Sequence, residues 1–385
     1  MLQRLRSSPR ALGVTAVVAV LLAAAVLDVP GQLGKLAPDQ STSTSTPDAP
    51  VPDEPVETDP GELTNLVTKD NAGLDQCTPG SKGLAWCGRA PALGDGTWLN
   101  TPGGRPVSLR DLRGSVVIVD FFAGSCGSCR RDSRYLRAWE AQYGDLGLEV
   151  VGVHVPKFRY ERRASSLAST LDRLSIRFPV LLDNGFSTIT DYRSSVLPSK
   201  YLIDRTGTVR AITFGEGGYP RIENQIRTIL QQSDFSGELP SAIGELDDGA
   251  DAEPGTTPQI DLGDSRGRRY DTESDIVVGD NTRFRLPDQQ PDGTFSLGGV
   301  WRLRAEDATP RPGGVARVSF RARRAYQLVA GSGTLVVTTS QGVTRRIPVS
   351  GGPDLVQVYG APTSDPETLT VAYEGDLRVY AFSFG

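Results

Sequence analysis

The stretch VDFFAGSCGSCRRD, residues 119–132, puts two cysteines three positions apart directly behind a run of strand-forming residues. The run itself, SVVIVDFF (115–122), is short and almost wholly apolar, the pattern of a strand buried on both faces. Behind the cysteines, Leu136, Trp139 and Tyr143 recur at helical spacing with arginines and acids between them, so Cys126 and Cys129 fall at a strand-to-helix turn. Three uses fit such a pair: a structural staple, half of a metal clamp, or a redox reagent. The position favours the third. Amides and dipole at a helix N-terminus stabilise a thiolate on the first cysteine, and a second cysteine one turn further in is placed to attack a mixed disulfide and release the partner.

Outward from this turn, strand and helix signals alternate. LEVVGVHV (148–155) reads as a second buried strand, residues 159–176 as a helix, and FPVLLD (178–183) as a short strand. KYLIDRTGTVRAITFG (200–215) reads as two strands joined by a turn, and Ile222, Ile226 and Ile229 line one face of a closing helix. The pattern predicts an α/β sheet with helices on both faces. Beyond residue 258 the texture changes to short alternating runs such as ARVSFRA, TLVVTT and LRVYAFSFG, separated by Gly, Pro, Ser and Asp. Many short strands at regular spacing predict an all-β sandwich of jelly-roll type.

Composition narrows the chemistry. The chain has 385 residues, enough for two domains plus linkers, and a formal net charge of -5, which gives no basic field for holding nucleic acid. Its single histidine, His154, excludes two-histidine metal motifs and leaves one imidazole for any serine nucleophile, so hydrolase chemistry is disfavoured. Four cysteines in two close pairs fit an oxidising compartment. The ten-residue step from Cys77 to Cys87 is a poor match to a zinc site, and neither metal nor cofactor is expected. That pair, in a Pro/Gly loop with no strand leading into it, reads as a structural disulfide, with a second redox pair relaying to the first as the alternative.

The N-terminus carries an address. Arg4, Arg6 and Arg10 precede an uncharged apolar run from Ala11 to Leu27, the layout of an export signal. This predicts a single-pass membrane-anchor helix with the bulk of the chain outside the cytoplasm; cleavage and secretion is the alternative. The expected organisation is a signal anchor (1–30), a tether rich in Ser, Thr, Pro and acids (31–72), an α/β domain (73–235), an acidic linker (236–257) and a β-sandwich (258–385).

VDFFAGSCGSC resembles the thioredoxin active-site segment, in which an Asp six residues before the first cysteine lies buried beneath the pair. Asp120 holds that place, and the resemblance implies that it accepts the proton of Cys129. VLPSKYLID resembles the cis-proline segment of the same fold, implying that Leu197 and the cis residue Pro198 face the cysteines and bind substrate backbone. More closely, WLNTPGGRPVSLRDLRG and the segments after it are similar to TlpA/DipZ-type extracytoplasmic thiol-disulfide oxidoreductases. That family also carries a C-terminal β-sandwich like a carbohydrate-binding module. The resemblance implies reduction of disulfides in exported proteins or apocytochromes and a separate membrane electron donor (CcdA-like). Departures are Ser125, where thioredoxins commonly have tryptophan, and the extra pair Cys77 and Cys87. Two other functions stay open: a disulfide-forming oxidant, and a redox-inert scaffold whose sandwich binds a cell-wall glycan through Phe295, Trp301, Tyr326, Tyr359 and Tyr380. Arg130 and Arg131 either stabilise the thiolate or are solvated surface charge.

Overall fold

The computed structural model describes residues 66–232, 237–246, 253–263 and 279–385. The expected anchor helix, and the tether up to residue 65, lie outside these. Among the described residues no helix is long and apolar enough to cross a membrane.

The first domain is a six-stranded sheet in the order β1-β4-β3-β2-β5-β6. Its strands are β1 (Thr97–Leu99), β2 (Val116–Phe122), β3 (Leu148–His154), β4 (Val180–Leu182), β5 (Ser199–Ile203) and β6 (Val209–Phe214). β2, β3 and β4 run parallel, whereas β5, β6 and β1 pair antiparallel with their neighbours. Four α-helices accompany it: α1 (Gly127–Tyr143), α2 (Ala164–Arg173), α3 (Ser187–Asp191) and α4 (Tyr219–Gln231). The segment read as one helix over 159–176 is a 3-10 turn, Arg159–Arg162, followed by α2, with the backbone extended at Arg163 between them.

Successive side chains of a strand point to opposite faces, and β2 uses this fully. Val116, Ile118 and Phe122 join a core with Tyr135, Leu136 and Trp139 of α1 and Ile222 and Ile226 of α4. Val117, Val119 and Phe121 join a second core with Trp98, Tyr192, Tyr201 and the Cys77–Cys87 disulfide. Full burial of each such large apolar side chain stabilises the fold by about 1.5–3 kcal/mol, and the whole of β2 is buried. The stretch expected as a linker is partly docked. Glu223, buried on α4, accepts the amides of Ile243 and Gly244 at 2.6 and 2.8 Å, and Leu239 enters the α1/α4 core.

Among its described residues the second domain is all-β and entirely antiparallel: β7 (Ile260–Asp261), β8 (Asn281–Phe284), β9 (Thr294–Leu303), β10 (Ala308–Pro310), β11 (Val315–Arg321), β12 (Arg324–Thr338), β13 (Thr344–Gly360) and β14 (Pro366–Phe384). The last three strands are longer than the short runs expected, and one hydrogen-bonded ladder links all eight. Glycines explain how apolar runs broken by Gly become single strands. Gly331 pairs with Gly351 and Gly333 with Gly375, so the residues that signal turns in the sequence lie side by side in the sheet. Gly375 has φ +94° and lies so close to the β12 backbone that a Cβ would strike it.

Candidate active site

Cys126 and Cys129 are joined in a disulfide at the mouth of α1. Cys126 is the N-cap of that helix, and its sulfur receives the Cys129 amide at 3.1 Å, with the Ser128 hydroxyl 3.2 Å away. A thiolate formed on Cys126 therefore meets an amide donor, a hydroxyl and the positive end of a 17-residue helix, all of which favour the charged form. Cys126 is 7% exposed and Cys129 3%. The N-cap sulfur is thus the one better placed for attack from outside.

Asp120 lies on the central strand at the same parity as Ile118 and Phe122, and so on the face whose core contains both cysteines. It stands opposite Lys200 of β5 in register, and Lys200 makes a 2.7 Å ion pair with Asp132 of α1. All three side chains are buried. Loss of solvent first, and the Asp132 charge second, push the Asp120 carboxyl up to about 8 against the opposing pull of Lys200. Near neutral pH such a group takes and gives a proton readily.

The loop before Cys126 is held by a residue that sequence reasoning missed. Glu161, buried in the 3-10 turn after β3, accepts the Ser125 amide at 2.8 Å and the Ser125 hydroxyl at 3.1 Å, together with the amides of Lys157 and Phe158. Burial raises this carboxyl, but His154 beside it and the amides of Ser125 and Phe158 outweigh that effect and hold it below the ordinary carboxylate value. His154 packs within the same arrangement, its Nε2 receiving the Gly124 amide at 3.2 Å. The available signal was an acid three residues into a helix start, KFRYE, the spacing of a capping carboxylate. Glu161→Ala would leave several buried donors unpaired. We expect it to lower unfolding free energy by about 3–5 kcal/mol in urea titration, whereas a loss under about 1 kcal/mol would mean that water replaces the carboxylate.

Of the other expected site residues, the Leu197–Pro198 peptide is cis, with Pro198 buried and Leu197 packed against the core that contains the cysteines. Cys77 and Cys87 sit in the core on the opposite face of the sheet. Their loop runs beside β6, with amides of Gly80, Ala85 and Cys87 donating to Ile212, Arg210 and Val209.

The β-domain reaches the active-site helix, and both domains belong to one compact unit. Arg130 donates to the Gly124 carbonyl at 2.7 Å and pairs with Asp354 of β13 at 2.6 Å. Arg131 is clamped by both oxygens of Glu216 at 2.7 and 2.8 Å and donates to the Phe384 carbonyl at 3.2 Å. Neither arginine is solvated surface charge. Gly127 lies under β14, where a Cβ would run into the Ser383 hydroxyl. Of the five aromatics offered as an alternative glycan platform, Phe295 and Trp301 are in the core of the β-domain, where the Trp301 indole donates to the Gly298 carbonyl, and Tyr326 and Tyr359 are half-buried.

Residues 95–212 match the AhpC/TSA family, and residues 257–385 match the family described as thioredoxin like C-terminal domain. Protein DipZ of Mycobacterium tuberculosis is 35% identical over 383 residues, covering 96% of this chain and 53% of that protein. The chain therefore spans about half the length of that relative. Thiol-disulfide oxidoreductase ResA of Bacillus anthracis is 25% identical over 126 residues, covering 33% of this chain and 70% of the relative. Among solved structures, a thiol-disulfide isomerase from Corynebacterium glutamicum aligns at 26% identity and TM-score 0.31, covering 37% of this chain and 98% of that one.

Proposed function

We propose that this chain, which belongs with the thioredoxin-like thiol-disulfide oxidoreductases of the DipZ and ResA kind, is a membrane-tethered reductase of disulfides in exported proteins or apocytochromes, working outside the cytoplasm. The observation that carries the reading is the Cys126–Cys129 disulfide at the N-cap of α1, on the same face of the sheet as a buried carboxyl pushed up to about 8. The export-type N-terminus, with its basic flank and apolar run, supports the location.

In the reduced protein the Cys126 thiolate attacks one sulfur of a substrate disulfide. The substrate S–S bond breaks, a mixed disulfide forms, and the first substrate sulfur leaves as a thiolate that takes a proton. Asp120 then draws the proton from Cys129, whose sulfur attacks Cys126, forming the internal disulfide and expelling the second substrate sulfur. Two electrons have passed from the cysteine pair to the substrate. A further turnover needs two electrons from a separate dithiol donor in the membrane, of the CcdA-like kind. Leu197 and Pro198 form the surface on which substrate backbone docks, extended by Val196 and Phe214, which are 38% and 37% exposed.

Equilibration of residues 60–385 in thiol-disulfide buffers, followed by alkylation and peptide mass analysis, tests the reading. A reversible Cys126/Cys129 couple near about −270 mV supports a reductase, and one near about −120 mV makes the protein an oxidant. A pair that exchanges at no accessible potential sinks both.

A further inference from the structure

Between the two domains lies a cleft of ≈ 410 Å³ that the redox chemistry does not use. Tyr160 and Arg163 line it from the α/β domain, and Arg302, Arg304, Arg311 and Arg378 line it from the β-domain. Asp376 is the one carboxylate among the lining residues, so five guanidiniums face it in a chain whose net charge is -5. Four of these side chains are held in place and only partly neutralised. The Arg302 Nε donates to the Gly279 carbonyl and the Arg311 Nε to Asn281 Oδ1 at 2.8 Å, both uncharged acceptors. Arg304 and Arg378 share a single carboxylate, Asp307, at 3.0 and 3.8 Å.

Like charges lining one cleft repel unless an anion lies among them, and guanidinium forks fixed by one edge leave the other N–H groups to a ligand. From this cleft we infer a binding site for a ligand carrying two or more phosphate groups. A phosphate offers three acceptor oxygens and close to two charges in a small volume, so it satisfies several guanidiniums at once, whereas a planar carboxylate occupies a single fork. Tyr160 and Tyr380, one from each domain, both line the cleft and are in edge contact at 5.3 Å. Because the residue after Tyr160 is Glu161, which holds the Ser125 amide, an occupied cleft would steady the turn that carries the active-site loop. The inference stands on the cleft alone and survives if the redox reading fails.

Calorimetric titration of the oxidised full-length chain with inorganic tripolyphosphate tests it, with citrate as an anion of similar charge and Arg110→Ala, outside the cleft, as a control. Saturable one-to-one binding is expected, weakened about tenfold or more by Arg302→Ala and, separately, by Arg378→Ala, and unchanged in the control. The two variants change partly exposed side chains, and unaltered circular dichroism checks that each is folded. Citrate should bind at least about tenfold more weakly. Absence of saturable binding, equal losses in the control, or citrate binding as tightly as tripolyphosphate would each overturn the assignment.

Discussion

Cys126→Ala is expected to lower the rate of disulfide reduction by about 10³-fold or more, because the attacking thiolate is gone and Cys129, one turn inside the helix and less exposed, cannot take its place. Cys129→Ser should behave differently. Its amide still points at the Cys126 sulfur, so the thiolate is still stabilised and the first attack still happens. What is lost is the internal displacement, and with it release of the substrate. In the serine variant mixed disulfides should accumulate, visible as bands of higher mass on non-reducing gels that collapse on reduction. With a disulfide-bonded test protein as substrate, the parent and Cys126→Ala should both be free of them. Equal trapping by Cys126→Ser and Cys129→Ser would mean that either sulfur can attack, and the N-cap argument for Cys126 would fail.

The strand-to-helix turn was legible because its signal is local: an apolar run, two cysteines and a stripe at helical spacing all lie within thirty residues. Asp120 was legible only through the resemblance to the thioredoxin segment, in which an Asp holds the place six residues before the first cysteine. Asp132 and Lys200 were not singled out, although each left a trace. Asp132 stands in line with Leu136, Trp139 and Tyr143, a charged residue in an apolar stripe, and Lys200 is the one charged residue in a strand buried along its whole length. Two such misfits of opposite sign are what a buried ion pair looks like in a sequence, but only the sheet register says that they meet. The same limit applies to Arg130 and Arg131. Their β-domain partners, Asp354 and the Phe384 carbonyl, are more than 200 positions away, and no periodicity records a contact of that kind. In the β-domain the glycines misled, because a residue that ends a strand in isolation can also let long strands press together.

Asp120→Asn should stabilise the protein and impair it at once, and the two effects have one cause. An aspartate in the unfolded chain titrates near 3.8, whereas burial and Asp132 push the folded group up to about 8. Between those values the folded chain keeps a proton that the unfolded chain has lost, so the stability of the parent falls as pH rises through this window and levels off above it. Asparagine has the shape of the protonated acid and does not titrate. At pH 8.5 the variant should therefore be more stable than the parent by on the order of 3–5 kcal/mol, and near pH 4 the two should be about equal. Urea unfolding at several pH values reads this directly. Turnover should move the other way. Without a carboxylate to draw the proton from Cys129, release of the mixed disulfide should slow by about 10- to 100-fold, and the rise in rate expected of the parent as pH approaches about 8 should vanish. The Lys200–Asp132 pair remains in the variant, which separates the loss of a proton acceptor from a collapse of the buried charges. If stability rises but the pH dependence of turnover is untouched, Asp120 is a destabilised bystander and another base serves Cys129. If neither changes, the buried carboxyl is not the titrating group. A gain in stability together with the loss of the pH limb is the outcome that a buried acid maintained for proton transfer requires.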